Sequence, residues 1–288
     1  MSEEDGTGDG GGDEAGEDEV AKFERALLLE KERQKLEAGV LTSSLDLMSE
    51  LFEGMQGGAE FGKALSRAER DGARLATPTL SYSEVKHDSF HNIFTRLNRL
   101  GFSDGNEGTF VDVGSGVGKV VFAVALFHTW KRVVGIEILS SLHKASLSAL
   151  ERWKSSEFRR HLSEKRQDTD IRLLLGDALT MRWASDADVA FINATCFSLE
   201  MVHILGIEAC RMRQGSILII TTHQLDARTC SKYLELLEMS VAGAPPLSMN
   251  LSCGPVRVFF YRRTKVAPLD SIGEPSAYVK NLIEHGLD

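Results

Sequence analysis

The 288 residues predict an α/β protein: a mostly parallel sheet with helices on both faces, entered through a helical N-terminal extension. Three observations carry this. After Pro78, short apolar runs alternate with segments of helical periodicity. The first of those runs ends in a glycine-rich turn that opens directly into a helix. Near the C-terminus two apolar runs follow one another with no helix fitting between them, as in a closing antiparallel pair.

Residues 1–19 alternate acids with glycine and contain no base, which predicts a disordered tail. Val20 to Ala38 sets Phe23, Leu27, Leu28 and Leu36 at helical spacing and ends near Gly39. A second, short helix is expected from Ser44, with Leu45, Met48, Leu51 and Phe52 on one face, and a third over Glu60 to Arg70, closed by Gly72. Ala76-Thr77-Pro78 breaks the pattern. Beyond it, Glu84 to Leu100 is expected to be helical, Thr109 to Val113 a strand, and Gly118 to Phe127 the helix that follows. Arg132 to Ile136 is the next strand, Ser140 towards Arg160 a long helix, and Ile171 to Leu175 and Val189 to Ile192 two further strands. Leu199 to Arg211 is helical and Ser216 to Thr221 an apolar strand, with Tyr233 to Val241 and Val256 to Tyr261 as the closing pair. The division this implies is a tail over 1–19, a helical extension over 20–76, a catalytic-size body over 77–266 and a C-terminal segment over 267–288.

The net charge of −9 reads at first as an argument against nucleic-acid partners, but nine of the 42 acids lie in residues 1–19. The 33 that remain balance 33 Lys and Arg, so the body is neutral. Cys196, Cys210, Cys230 and Cys253 form no C-x-x-C pair, which points to buried free thiols and a reducing compartment. Val120 to Phe127 is the longest apolar run, far short of the roughly 20 residues a membrane helix needs. A soluble intracellular protein with no membrane partner is expected. No paired-ligand spacing among the eight His suggests a metal.

The strongest local signal is Phe110-Val111-Asp112-Val113-Gly114-Ser115-Gly116-Val117-Gly118. A strand ends in an acid and runs into Gly-x-Gly-x-Gly, whose missing side chains let backbone approach a ligand and whose helix start offers N–H groups. Gly118-Lys119 suggests a phosphate loop, but that spacing demands glycine at Val113 and a hydroxyl at Val120. A dinucleotide turn demands glycine at Lys119 and leaves Asp112 unexplained. The pattern instead resembles the first motif of class I S-adenosylmethionine (SAM) methyltransferases, which implies a seven-stranded Rossmann-like sheet. The resemblance implies that Asp112, Gly114 and Gly116 surround the methionine part of SAM, that Glu137, ending Val133-Val134-Gly135-Ile136-Glu137, accepts the ribose hydroxyls, and that Asp177, in Leu175-Gly176-Asp177-Ala178, meets the adenine. A solvated strand-end Glu137 and a helix-capping Asp177 are the plainer alternatives.

Two further segments narrow the likeness. Leu80-Ser81-Tyr82-Ser83-Glu84-Val85 and Phe191-Ile192-Asn193-Ala194-Thr195-Cys196-Phe197, taken with the glycine loop and Gly135-Ile136-Glu137, resemble the disruptor-of-telomeric-silencing family of non-SET histone H3 lysine-79 methyltransferases. The likeness runs from about Thr79 to Arg263. It implies a nuclear enzyme acting on histone H3 in nucleosomes, with Tyr82 and Glu84 covering SAM and lining a lysine channel. Ser83 stands where the family has Gly. The family's Asn-Asn-Phe-x-Phe loop keeps its first Asn as Asn193 and its last Phe as Phe197, and the two are expected to shape the transfer site with Tyr82. A turn residue at Asn193 and a core aromatic at Phe197 are the structural alternatives. The family's closing hairpin supplies a Trp and a Tyr to the channel; here those positions fall near Leu251 and Val258, with Phe259 or Phe260 as substitutes one or two residues away. Another methyl acceptor, or a SAM-binding chromatin module without turnover, therefore stays open.

Arg152 to Arg166 carries six bases and two acids, so Arg152, Lys154, Arg159 and Arg160 are candidates for DNA-phosphate contacts, against the alternative of a solvated helix face. His223 is expected to be a partly exposed polar residue and Cys196 a buried thiol.

Overall fold

The computed structural model describes residues 44–53, 55, 59–72, 81–102, 108–239 and 249–264. The expected acidic tail, the helix over 20–38 and the segment 267–288 lie outside these residues.

Three helices precede the sheet: α1 over residues 44–51, α2 (Ala59–Gly72) and α3 (His87–Arg99). The body then alternates as β1 (Thr109–Val113), α4 (Lys119–Phe127), β2 (Arg132–Glu137), α5 (Ser140–Lys154), α6 (Ser156–Arg159), α7 (Glu164–Gln167), β3 (Asp170–Leu175) and β4 (Val189–Ile192). It continues through α8 (Leu199–Ala209), β5 (Ile217–Thr221), α9 (Ala227–Cys230), β6 (Leu234–Met239), β7 (Met249–Leu251), β8 (Gly254–Val256) and β9 (Val258–Arg263). Seven strands form one sheet in the order β3-β2-β1-β4-β5-β9-β6. β1 to β5 pair in parallel, whereas β9 lies antiparallel between β5 and β6.

Alternation along the central strands divides the core between the two faces. Phe110 of β1, Phe191 of β4, Ile219 of β5 and Phe260 of β9 pack with α1, α3, α4 and α5 on one side. Val111, Val113, Ile192, Ile220 and Phe259 pack with α8 on the other. With both faces covered, β1, β4 and β5 are buried at every residue, so β4 and Ile217 to Ile220 of β5 read as unbroken apolar runs, and β1 is an apolar strand interrupted by Asp112. α4 is buried from Val121 to Leu126, which explains its lack of a polar stripe.

The structure departs from the sequence reading in four places. The helix after Ser83 starts at His87 rather than Glu84, because Val85 forms an antiparallel bridge with Leu251. The long helix after β2 ends at Lys154; Ser155 leaves the helical region (φ −63°, ψ 144°) and accepts the Phe158 N–H to cap α6. A small hairpin, β7–β8, stands between the two closing strands. Of the four free cysteines only Cys210 and Cys230 are buried; Cys196 is half-buried and Cys253 exposed on the hairpin turn. No helix of the described residues is long and apolar enough to cross a membrane.

α2 is joined to the body by a cap in trans. Leu139 at the start of α5 has no side-chain cap, and the Glu69 carboxylate of α2 accepts the Ser140 and Ser141 N–H groups at 2.9 and 2.7 Å. Burial acts to raise the Glu69 carboxyl, but the bonds from Ser141 and Ser140 outweigh it and hold it below the usual range.

Candidate functional site

The strand order reverses between β1 and β4, and a cleft opens there at the carboxyl ends of the strands, where open α/β sheets bind ligands. Its void, counted together with the open solvent at its mouth, is roughly 860 Å³, and its walls include Tyr82, Gly114, Gly116, Glu137, Asp177, Asn193 and Phe197. Seven of the nine residues singled out from sequence thus meet in one cavity. Asp112 and Glu84 do not line it.

The glycine loop is bent by three left-handed residues, Gly114 (φ 79°), Gly116 (φ 56°) and Gly118 (φ 89°). Two of them also leave room for aromatics. A Cβ on Gly114 would stand 3.2 Å from Phe197 Cζ, and one on Gly116 only 2.5 Å from Tyr82 Cε2. The loop amides are spent inside the protein: Gly114 and Ser115 N–H both donate to the Ile136 carbonyl at 2.9 Å, and Gly118 N–H donates to the Ser115 carbonyl at 2.8 Å. Gly116 N–H donates to Glu137 Oε2 at 2.7 Å. With the Gly114, Ser115, Gly116 and Gly118 amides turned inward, the loop makes a poor phosphate cradle, which agrees with the failed phosphate-loop spacing.

Among the described residues, the cleft wall carries no positive charge. Asp112 is 1% exposed beneath the loop and its Oδ2 is buried without a partner. Burial, and then the nearby Glu137 charge, push its carboxyl well above the ordinary range. Glu137 is raised too, by burial, although the Leu139 and Gly116 N–H groups oppose this. Two buried carboxylates side by side with one oxygen unbonded need a cation or a proton. A ligand carrying an ammonium and a sulfonium fits that demand, and a phosphate does not.

Asp177 also caps its own turn, Oδ1 accepting the Leu179 N–H at 2.9 Å, so the capping alternative and the cleft position hold together. Glu84 turns away from the cleft: one carboxylate oxygen pairs with Lys119 and the other accepts the Tyr82 hydroxyl at 3.1 Å. Burial raises the Tyr82 phenol, reinforced by the Glu84 charge, so it is a neutral donor.

At the opposite end Asn193 belongs to a network that sequence reasoning missed. Its Nδ2 donates to the Ser83 carbonyl at 3.0 Å. Its Oδ1 accepts the hydroxyls of Thr195 and Thr221 at 2.9 and 3.0 Å, which occupies both lone pairs. Thr221 in turn accepts the Ala194 N–H at 3.0 Å, and Thr195 lies 2.9 Å from the Thr222 hydroxyl. Thr222 is the one non-glycine residue with positive φ among the described residues, at 69°, a strained state for a β-branched side chain. Its N–H bond to the Arg257 carbonyl, at 2.8 Å, helps hold it there. The sequence signal was the run Thr221-Thr222 at a strand end, which carries no motif of its own. His223 is half-buried beside it, and burial raises the Cys196 thiol on the cleft wall.

Neither closing-hairpin position reaches the cleft. Leu251 is fully buried against the body, and Val258, Phe259 and Phe260 are core residues of β9. The substitutes weighed from sequence therefore do not rebuild an aromatic channel, because β9 pairing with β5 turns both phenylalanines into the two core layers. The basic segment is also displaced. α5 leaves the cleft and runs back along the sheet for about 22 Å, which carries Lys154, Arg159 and Arg160 towards its opposite end. Arg152 donates to the Leu51 carbonyl and Arg159 to that of Gln167, while Lys154 and Arg160 are exposed.

The chain matches the family model for Histone methylation protein DOT1 over residues 76–239, more than half its length and the whole of the glycine loop, the acids and Asn193. It belongs to the DOT1 histone methylation family. This DOT1-family chain is accordingly a SAM-dependent methyltransferase, with SAM as its cofactor. No curated protein matches it in sequence. Among solved structures it is similar to a SAM-dependent methyltransferase from Clostridium acetobutylicum (7% identity, 70% of this chain and 98% of that one, TM-score 0.45). It is also similar to TrmK of M. capricolum, solved with S-adenosylhomocysteine (11% identity, 64% and 73% covered, TM-score 0.39).

Proposed function

We propose that this DOT1-family protein is a nuclear protein-lysine N-methyltransferase of the histone H3 lysine-79 type, acting on nucleosomes. The observation that carries the reading is the match to the histone methylation family over residues 76–239, which takes in both ends of the cleft.

In this reading the donor end supplies charge and shape. Asp112 and Glu137 give the negative field that a ligand ammonium neutralises, Asp112 acting from beneath Gly114 and Gly116. Glu137 accepts backbone N–H groups on both oxygens and keeps acceptor capacity beyond them, which suits ribose hydroxyls. Asp177 stands at the adenine end, and Tyr82 closes the wall facing the loop. When bound, SAM supplies an electrophilic methyl group on a sulfonium.

At the acceptor end, Phe197, Met201 and Leu205 form an apolar wall that favours a neutral amine over an ammonium by desolvation. Asn193 is held as a rigid amide with one N–H left unspent, so it contributes alignment rather than proton transfer. Charge passes from sulfonium to amine in one displacement, which needs no covalent intermediate on the protein.

Labelled-methyl transfer from SAM to nucleosomes, free histones and a cell extract, with mapping of the modified residue, tests this. Label on a lysine of nucleosomal histone H3 is the expected result. Label confined to a non-histone protein or a small molecule, or SAM binding with no transfer to any of the three, would overturn it.

A further inference from the structure

We propose that Lys119 is a positioning residue for the donor site: through Glu84 it holds Tyr82 against the glycine loop, and so sets the affinity of the cleft for SAM without touching it. The proposal rests on the assignment of the cleft to SAM.

Lys119 is the residue that suggested a phosphate loop and spoiled the dinucleotide spacing, and it lies outside the cleft wall. Its ammonium pairs with Glu84 Oε1 in a site where the two side chains are only 12% and 11% exposed. The Phe52 ring of the segment after α1 lies 5.7 Å from the same nitrogen and covers it. The second Glu84 oxygen accepts the Tyr82 hydroxyl. The chain of contacts therefore runs from ammonium to carboxylate to phenol, and the phenol ring forms the cleft wall.

Each link has little freedom. The Glu84 backbone is clamped by the β7–β8 turn, its N–H donating to Ser252 Oγ at 3.1 Å and its carbonyl accepting the Ser252 N–H at 2.7 Å. Lys119 begins α4 immediately after Gly118. The Tyr82 ring is wedged edge-on between two glycines: a Cβ on Gly62 of α2 would stand 2.3 Å from Cε1, and one on Gly116 stands 2.5 Å from Cε2. The two glycines restrict how the ring turns, and the bond to Glu84 fixes where its hydroxyl end sits. Glu84 can keep a buried negative charge there because Lys119 compensates it. Removing the lysine alone leaves an unpaired carboxylate beside the phenol, and that carboxylate must find a proton or water by moving. Removing both charges leaves a Gln oxygen that still accepts the phenol.

The test is calorimetric titration of S-adenosylhomocysteine into the full chain as wild type, K119M, E84Q, K119M/E84Q and K119R, with circular dichroism and thermal unfolding on each. K119M is expected to weaken binding roughly tenfold or more, the order of cost of a stranded buried charge. The double variant should return to within about threefold of wild type, since neither charge is left alone. K119R should bind like wild type within a similar margin, because the guanidinium keeps the charge. A double variant that binds as weakly as K119M, or a K119M protein with undiminished affinity, overturns the proposal. Should K119M fail to fold, the double variant and K119R decide by the same margins. Wild-type protein that binds no S-adenosylhomocysteine sinks the cleft assignment itself, which separates the two failures.

Discussion

The two ends of the cleft are built on opposite principles. At the donor end, buried carboxylates are left under-compensated: Asp112 has an unbonded oxygen, and both it and Glu137 are raised by burial. At the acceptor end the groups around Asn193 are paired but for one amide N–H, down to the strained Thr222 that completes the chain of hydroxyls. The first end stores an unmet demand that a cationic ligand answers, whereas the second is already rigid and offers alignment. Under the proposed function this asymmetry suits a charged donor and a neutral nucleophile, because only one of the two reactants brings positive charge with it.

The sharpest way to break the comparison is at the loop. Gly116→Arg places a side chain where φ is 56° and a Cβ already meets Tyr82, so S-adenosylhomocysteine binding should be lost by more than about 100-fold while the protein stays folded. Undiminished binding by calorimetry would move the donor site elsewhere. The next largest effect is expected at Asp112. Its folded carboxyl is raised, so its contribution to stability is present below the unfolded pKa and is lost as pH rises through the folded one. Asp112→Asn should therefore stabilise the ligand-free protein at neutral pH, with the advantage shrinking as pH falls from the raised folded pKa to the ordinary carboxylate range and gone below it, and it should weaken S-adenosylhomocysteine roughly tenfold. Thermal unfolding across pH, with and without ligand, checks both signs.

The acceptor end should respond in the opposite way. Thr221→Val is isosteric and strands the Ala194 N–H and one lone pair of Asn193. Loss of order about tenfold in kcat is expected, with S-adenosylhomocysteine affinity within about twofold and Thr221→Ser restoring turnover. If Thr221→Val weakens binding and kcat alike, the two ends are not separate. The smallest effect is away from both. Glu69→Gln removes the charge that caps α5, and denaturant melts should show about 1 kcal/mol lost with binding unchanged.

Much of this was legible before any coordinates. Phe110 to Val113 and Val189 to Ile192 are central strands buried on both faces, so their composition announces them, and a strand acid followed by Gly-x-Gly-x-Gly has few structural solutions. Asn193 and Phe197 were recognisable from the family's loop although two neighbouring positions had changed. The break at Ser155 was not, since one capping side chain decides it within an otherwise helical stretch. The role of Glu84 was misplaced for a similar reason: it sits in a segment that covers the cleft, but which way its carboxylate turns depends on Lys119, 35 residues on.

By itself, the sequence determined the class of fold and the succession of strands and helices along the chain, and through the family resemblance the chemistry of the donor, because those rest on periodicity and on residue types at the ends of consecutive strands. Only the tertiary structure decided that Lys119 backs Tyr82, that Glu69 caps α5, and that Phe259 and Phe260 stay in the core. The physical reason is separation along the chain. A strand or a glycine turn is written in neighbouring residues, but a partner 35 or 71 residues away is chosen by packing, which leaves no periodic trace.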